Sequence, residues 1–158
     1  MSIGDSLLDY LSEDEIKNNL VPWYKNNKMK TSEMTSSKFK VYSVVQLSYK
    51  KNDKNYIINN IAGDLLLNKN DCANTMNEIN KDFKKIFKNY KIKKQTFKHP
   101  IDKSGKSIVI EIGYHFDNGD VAVVQCYDMS KKTNYPSGLK LILVKEEFAN
   151  WLRVEAYK

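Results

Sequence analysis

The stretch SIVIEIGYHFDNGDVAVVQCYDM, Ser107 to Met129, holds two apolar-rich runs around Asp117-Asn118-Gly119-Asp120. Alternating or near-continuous β-branched and aromatic residues on either side of Asn-Gly predict an antiparallel hairpin. Asn118-Gly119 suits a two-residue type I′ turn, which needs positive φ at both central positions. In that register Phe116 pairs with Val121, Tyr114 with Val123, Ile112 with Gln125 and Ile110 with Tyr127. The even-numbered residues of the first strand then face the core.

Working upstream, Phe39 to Lys50 alternates, with Val41, Val45, Leu47 and Tyr49 on one face. The run Tyr56 to Leu67 sets Ile57, Ile61, Leu65 and Leu67 together, which predicts another hairpin. Gly63 within it marks a bulge or a close approach of a helix. Between the hairpins, Asn70 or Asp71 is the expected cap of a helix over about 72–91. Met76, Ile79, Phe83, Ile86, Phe87 and Tyr90 form its apolar stripe. Downstream, Asn134 to Gly138 reads as a turn, Leu139, Leu141 and Leu143 as a last strand, and the spacing from Glu146 through Phe148, Trp151 and Leu152 as a closing helix. At the other end Ser6 and Ser12 are caps of two short helices, with Asp9 and Glu15 as capping-box partners, and Val21-Pro22 ends the second. The polar stretch 25–38 shows no period and reads as a mobile connection. The expected fold is α+β: one domain over 1–158, with short helices in 1–24 and an antiparallel sheet of about five to six strands in 39–158. One long amphipathic helix packs on one face of that sheet.

The chain has 158 residues, 26 basic against 19 acidic, for a formal charge of +7. No apolar run approaches the roughly 18 residues of a membrane span. Between Lys81 and Lys98 lie eight lysines and a single acid, Asp82. Lys81, Lys84, Lys85, Lys88 and Lys91 are therefore the candidate polyanion-binding residues, facing an acidic protein or an anionic surface. Against a nucleic-acid target stands the near-absence of arginine: Arg153 is the one Arg in the chain, and arginine's planar fork is the usual phosphate and guanine reader. Lysine and asparagine enrichment also follows from an AT-rich coding sequence, and solvated surface is the plainer reading of the segment.

Gly4-Asp5-Ser6-Leu7 spells the nucleophile block of the GDSL hydrolases, which implies Ser6 as nucleophile in a small serine hydrolase. That chemistry needs a histidine base and an orienting acid, yet no D-x-x-H follows near the C-terminus and no Gly-x-Asn-Asp block occurs. Ser6 as a helix cap accounts for the same residues. Ser104-Gly105-Lys106-Ser107 ends like a phosphate loop, but Pro100 stands where the first glycine belongs and a strand follows where a helix is needed. It reads as the tail of a polar turn, Asp102 to Gly105. His99 and His115 are isolated, with no HxxxH or CxxC spacing, so no metal site and no cofactor is expected. Cys72 and Cys126 leave two readings open. A disulfide would close a separation of 54 residues and contribute roughly 3–4 kcal/mol. The expected hairpin register favours two unpaired residues, because it sets Cys126 beside Glu111, away from the helix.

The segments Ser2 to Tyr10, Ser12 to Ile16, Ile61-Ala62-Gly63, Asp102 to Ser107, Phe116 to Asp120, Cys126-Tyr127-Asp128 and Glu147 to Leu152 together resemble an uncharacterised family of small exported proteins of marine, Pelagibacter-type alphaproteobacteria. The likeness spans nearly the whole chain. It implies a periplasmic or secreted setting where an upstream signal has been removed, and a cytoplasmic one where Met1 is the true start. It brings no functional residues with it. A looser likeness, two short helices opening on I-G-x-S-L before an antiparallel sheet, is to small bacterial inhibitor and envelope-assembly modules. The functional expectation is a non-catalytic binding or accessory protein of the bacterial envelope, with the hydrolase and polyanion readings as alternatives.

Overall fold

The computed structural model describes residues 1–35, 39 and 41–158. Expectation and structure differ in strand number and in the size of the helix. The chain forms an eight-stranded antiparallel sheet in the order β1-β2-β3-β4-β8-β7-β6-β5, and about 23% of it is helical. The expected five to six strands with one long helix are thereby corrected. The strands are β1 (Leu20–Val21), β2 (Met29–Met34), β3 (Val44–Lys50), β4 (Asn60–Leu66), β5 (Tyr90–Lys98), β6 (Ile108–Phe116), β7 (Val121–Asp128) and β8 (Gly138–Val144); the helices are α1 (Glu13–Asn18), α2 (Lys69–Ile86) and α3 (Glu146–Val154). Two compact units divide the chain: Met1–Gly63 with Ile142–Lys158, and Asp64–Leu141.

In the first unit, Ser6 caps a single 3-10 turn, Leu7–Asp9, by accepting from the Leu8 amide, with no box to Asp9. Ser12 and Glu15 form the complete capping box of α1, satisfying two orphan donors reciprocally. The stretch 25–38 contains β2, paired antiparallel with β3 from Met29↔Lys50 to Met34↔Val45; Ser36, Ser37 and Lys38 of that stretch lie outside the described residues. This strand is chemically polar but buried, because its hydroxyls find partners: Thr31 Oγ1 lies 2.8 Å from Ser48 Oγ, and Ser32 Oγ donates to the Ile16 carbonyl at 2.6 Å. Leu7, Leu11, Ile16, Met34, Val45, Leu47, Tyr49 and Ile58 form the core. Val41 is 69% exposed and precedes the strand. At Gly63 an added Cβ would stand 2.5 Å from the Tyr42 ring, so the close approach there is by an aromatic side chain. Tyr24 packs edge-on against Trp151 of α3, whose centroid is 4.8 Å away.

In the second unit, α2 begins and ends earlier than the apolar period predicts. Asn68 is its N-cap, accepting from the Asp71 amide at 3.0 Å. Phe87 ends it in extended conformation, and Asn89 turns the chain at φ 55° into β5. The period runs on past the helix because Tyr90, already in β5, comes back to within 5.0 Å of Tyr114, where Phe83 and Phe87 also pack. Ile86 is the exception to the expected stripe, 68% exposed.

The hairpin shifts by one residue. Phe116 donates to the Asp120 carbonyl and Gly119 to that of Phe116, with Gly119 at φ 84°. The loop is therefore three residues long, the form that ends on a left-handed glycine. The strands pair as Tyr114↔Ala122, Ile112↔Val124, Glu111↔Gln125 and Ile110↔Cys126. A one-residue slip moves a strand's side chains to the other face, and Cys126 arrives on the α2 side. There Cys72 and Cys126 are joined as a disulfide.

Candidate functional site

The functional geometry of the second unit lies on the two faces of the β5-β6-β7 ribbon. Even-numbered positions of β6 face α2, as the disulfide opposite Ile110 and the Phe83–Tyr114 contact show. Odd positions face the other way and form a polar row. Both carboxylate oxygens of Glu111 accept amides at 2.5 Å, one from Gln95 on β5 and one from Gln125 on β7. The Tyr127 hydroxyl donates to Gln125 Oε1, completing a chain across three strands. Burial, reinforced by the Asp64 and Glu111 carboxylates, raises the Tyr127 phenol above its ordinary range. The His99 ring stands 5.5 Å from that of Tyr127, and its Nδ1 accepts from the Ile101 amide. Burial first, then Lys140, pushes the imidazole below its usual pKa against an opposing pull from Asp102. The hydrogen bonds from Gln95 through Glu111 and Gln125 to Tyr127 make the row a cross-strand clamp. Sequence pattern missed it, since Glu111 and Gln125 become partners only in the shifted register.

The five candidate lysines do not share one surface. Lys81, Lys84 and Lys85 lie exposed on α2 and Lys88 just beyond it. Their spacing of 3, 4 and 7 places the first three on one helical side. Lys85 is paired with Asp82 at 2.9 Å. Lys84 and Lys85 sit in the last turn, where cations complement the helix dipole. Lys91 pairs with His115 in β5–β6, an odd position on the face away from α2.

Ser6 donates from Oγ to the Asn55 carbonyl at 2.6 Å while accepting from Leu8. The structure thus gives this hydroxyl two backbone partners, in the manner of a cap. Asp102 Oδ1 accepts from the amide and hydroxyl of Ser104, and Oδ2 from those of Ser107. Those bonds, Ser107's first, hold its carboxyl well below the usual range. The segment that imitates a phosphate loop is thus a turn organised around a carboxylate. Among the described residues, no group of three or more His, Cys, Asp or Glu gathers to hold a metal, and no helix is long and apolar enough to cross a membrane.

Comparison with known proteins finds no matching family model, no matching curated protein and no matching solved structure.

Proposed function

We propose that this chain is a non-catalytic binding protein of the bacterial envelope whose second unit holds an anionic partner against the lysines of α2. The observation that carries the reading is the Cys72–Cys126 disulfide. Such bonds persist in oxidising compartments, the periplasm among them. This one fastens to β7 the helix that bears Lys81, Lys84 and Lys85, so those charges are displayed on a fixed support. The second unit also carries most of the excess charge, with 14 lysines against nine acids.

The test is sedimentation of the protein with vesicles containing phosphatidylglycerol. Lys84→Glu, Lys85→Glu and Lys88→Glu combined should weaken binding at least tenfold, since each basic residue near such a surface contributes about 1 kcal/mol. Unchanged binding, or none by the unmodified protein, removes the basic surface from the function. Single-stranded DNA titrated across a salt series tests the polynucleotide alternative, which requires affinity falling steeply with ionic strength. Turnover of a short-chain ester that Ser6→Ala abolishes would replace the binding reading with the hydrolase one.

A further inference from the structure

On the α2 side of β6, the sheet floor is left uncovered beside the helix. Ile110 lies within an inner strand, in register between Thr96 of β5 and Cys126 of β7. It is nevertheless 45% exposed, and Ile92, at an even position on the same face of β5, is 39% exposed. The open space is a groove of about 580 Å³. Ala73 and Met76 form its helical wall, Ile110 and Ile112 its floor, and Lys94 and Thr96 its outer rim. It is confined to the N-terminal half of α2. Toward the other end, Phe83, Phe87 and Tyr90 pack on Tyr114 and fill the space between helix and sheet.

Charge and size select the occupant. Lys69, the groove's other lysine, is tied to Asp128 at 2.8 Å. The Glu111 carboxylate is on the opposite face, held by Gln95 and Gln125. Lys94 stands opposite Ile112 in the register, and among the described residues no carboxylate pairs with it. An aliphatic floor thus ends at a cation with no counter-charge. The volume falls in the range of small-ligand pockets, roughly 300–1,000 Å³. Ten residues of a partner's helix, about 15 Å long and 10 Å across, would need about twice that space. A single hydrocarbon chain fits.

We propose that this groove binds a long-chain carboxylate, its hydrocarbon lying on Ile110 and Ile112 beside Met76 and its carboxylate at Lys94. The site is independent of the α2 lysines and of the function proposed for them. Burial of each added methylene should tighten binding about fourfold.

The experiment is calorimetric titration of the full chain with octanoate, decanoate and laurate, each below its micellar concentration. The expected result is a Kd that falls about fourfold per methylene. Ile110→Glu should weaken laurate at least tenfold, and because Ile110 is already half in water the variant keeps its circular dichroism. Lys94→Glu should weaken laurate at least tenfold while leaving dodecanol within twofold, which separates the head-group contact from the tail. The Lys84, Lys85 and Lys88 triple variant should bind laurate as the unmodified protein does. Absence of laurate binding, a Kd independent of chain length, full affinity in Lys94→Glu, or loss of affinity in the triple variant would each overturn the site. The chain-length series on the unmodified protein decides the matter even if a variant fails to fold.

Discussion

Asp102 organises the turn before β6 with both carboxylate oxygens, and its acidity follows from those bonds. Its folded-state pKa lies below that of the unfolded chain. The associated stability is therefore complete above the ordinary carboxylate value and is lost as pH falls through the depressed one. Asp102→Asn removes the linkage. The gap in urea midpoint between wild type and variant should hold steady from pH 7 to about pH 5, then narrow below about pH 4; a gap undiminished at pH 2 contradicts the assignment. Asp5 and Glu13 are shifted the same way, chiefly by Tyr10 and Lys17, so only the difference between the two proteins isolates Asp102. This turn was legible in sequence as Asp102-Lys103-Ser104-Gly105. The involvement of Ser107 was not, because a serine two places beyond a turn looks like the start of a strand.

Among the elements, the hairpin shows how far pattern reaches. Both strands and the turn could be located from residues 107–129, but the register depended on whether the loop held two residues or three. Asn-Gly supports a two-residue turn, and only Gly119 takes positive φ. That one-residue difference put Cys126 on the wrong face of the expected sheet, made Glu111 and Gln125 partners, and decided whether Cys72 could reach a sulfur. Three strands were not legible: the two-residue β1, which follows closely on α1, and β2 and β5, the last two for opposite reasons. β2 is buried through paired hydroxyls, so it lacks an apolar alternation. β5 lies at the end of the strand order and carries Lys91, Lys93, Lys94 and Lys98, the kind of charged edge that discourages pairing between molecules. Replacing Cys72 and Cys126 together with serine should lower unfolding stability by roughly 3–4 kcal/mol, given the 54-residue separation. Chemical denaturation under non-reducing conditions measures it, and a change under 1 kcal/mol would mean that the bond does not constrain the unfolded chain as assumed.

At the scale of the molecule, each unit has its own dense set of internal contacts, and regions of that kind tend to open as cooperative groups. Hydrogen exchange followed through rising denaturant should sort the slow amides into two sets, one within 64–141 and one drawn from 1–63 and 142–158. A single set with a common opening energy would show that the division has no energetic meaning. The sequence offered no sign of this division, since no Pro- or Gly-rich linker marks it and the first unit is built from both ends of the chain. That discontinuity has a consequence for synthesis. The amides of Lys25 and Asn26 bond to the Ala156 carbonyl, Lys50 pairs with Glu147, and Trp151 Nε1 donates to Asn26. On the ribosome, residues 1–63 emerge first yet wait for partners made roughly 5–20 s later at ordinary elongation rates. The segment 64–141, made in between, contains both cysteines and the whole of α2, β5, β6 and β7, so the part translated second is equipped to mature first.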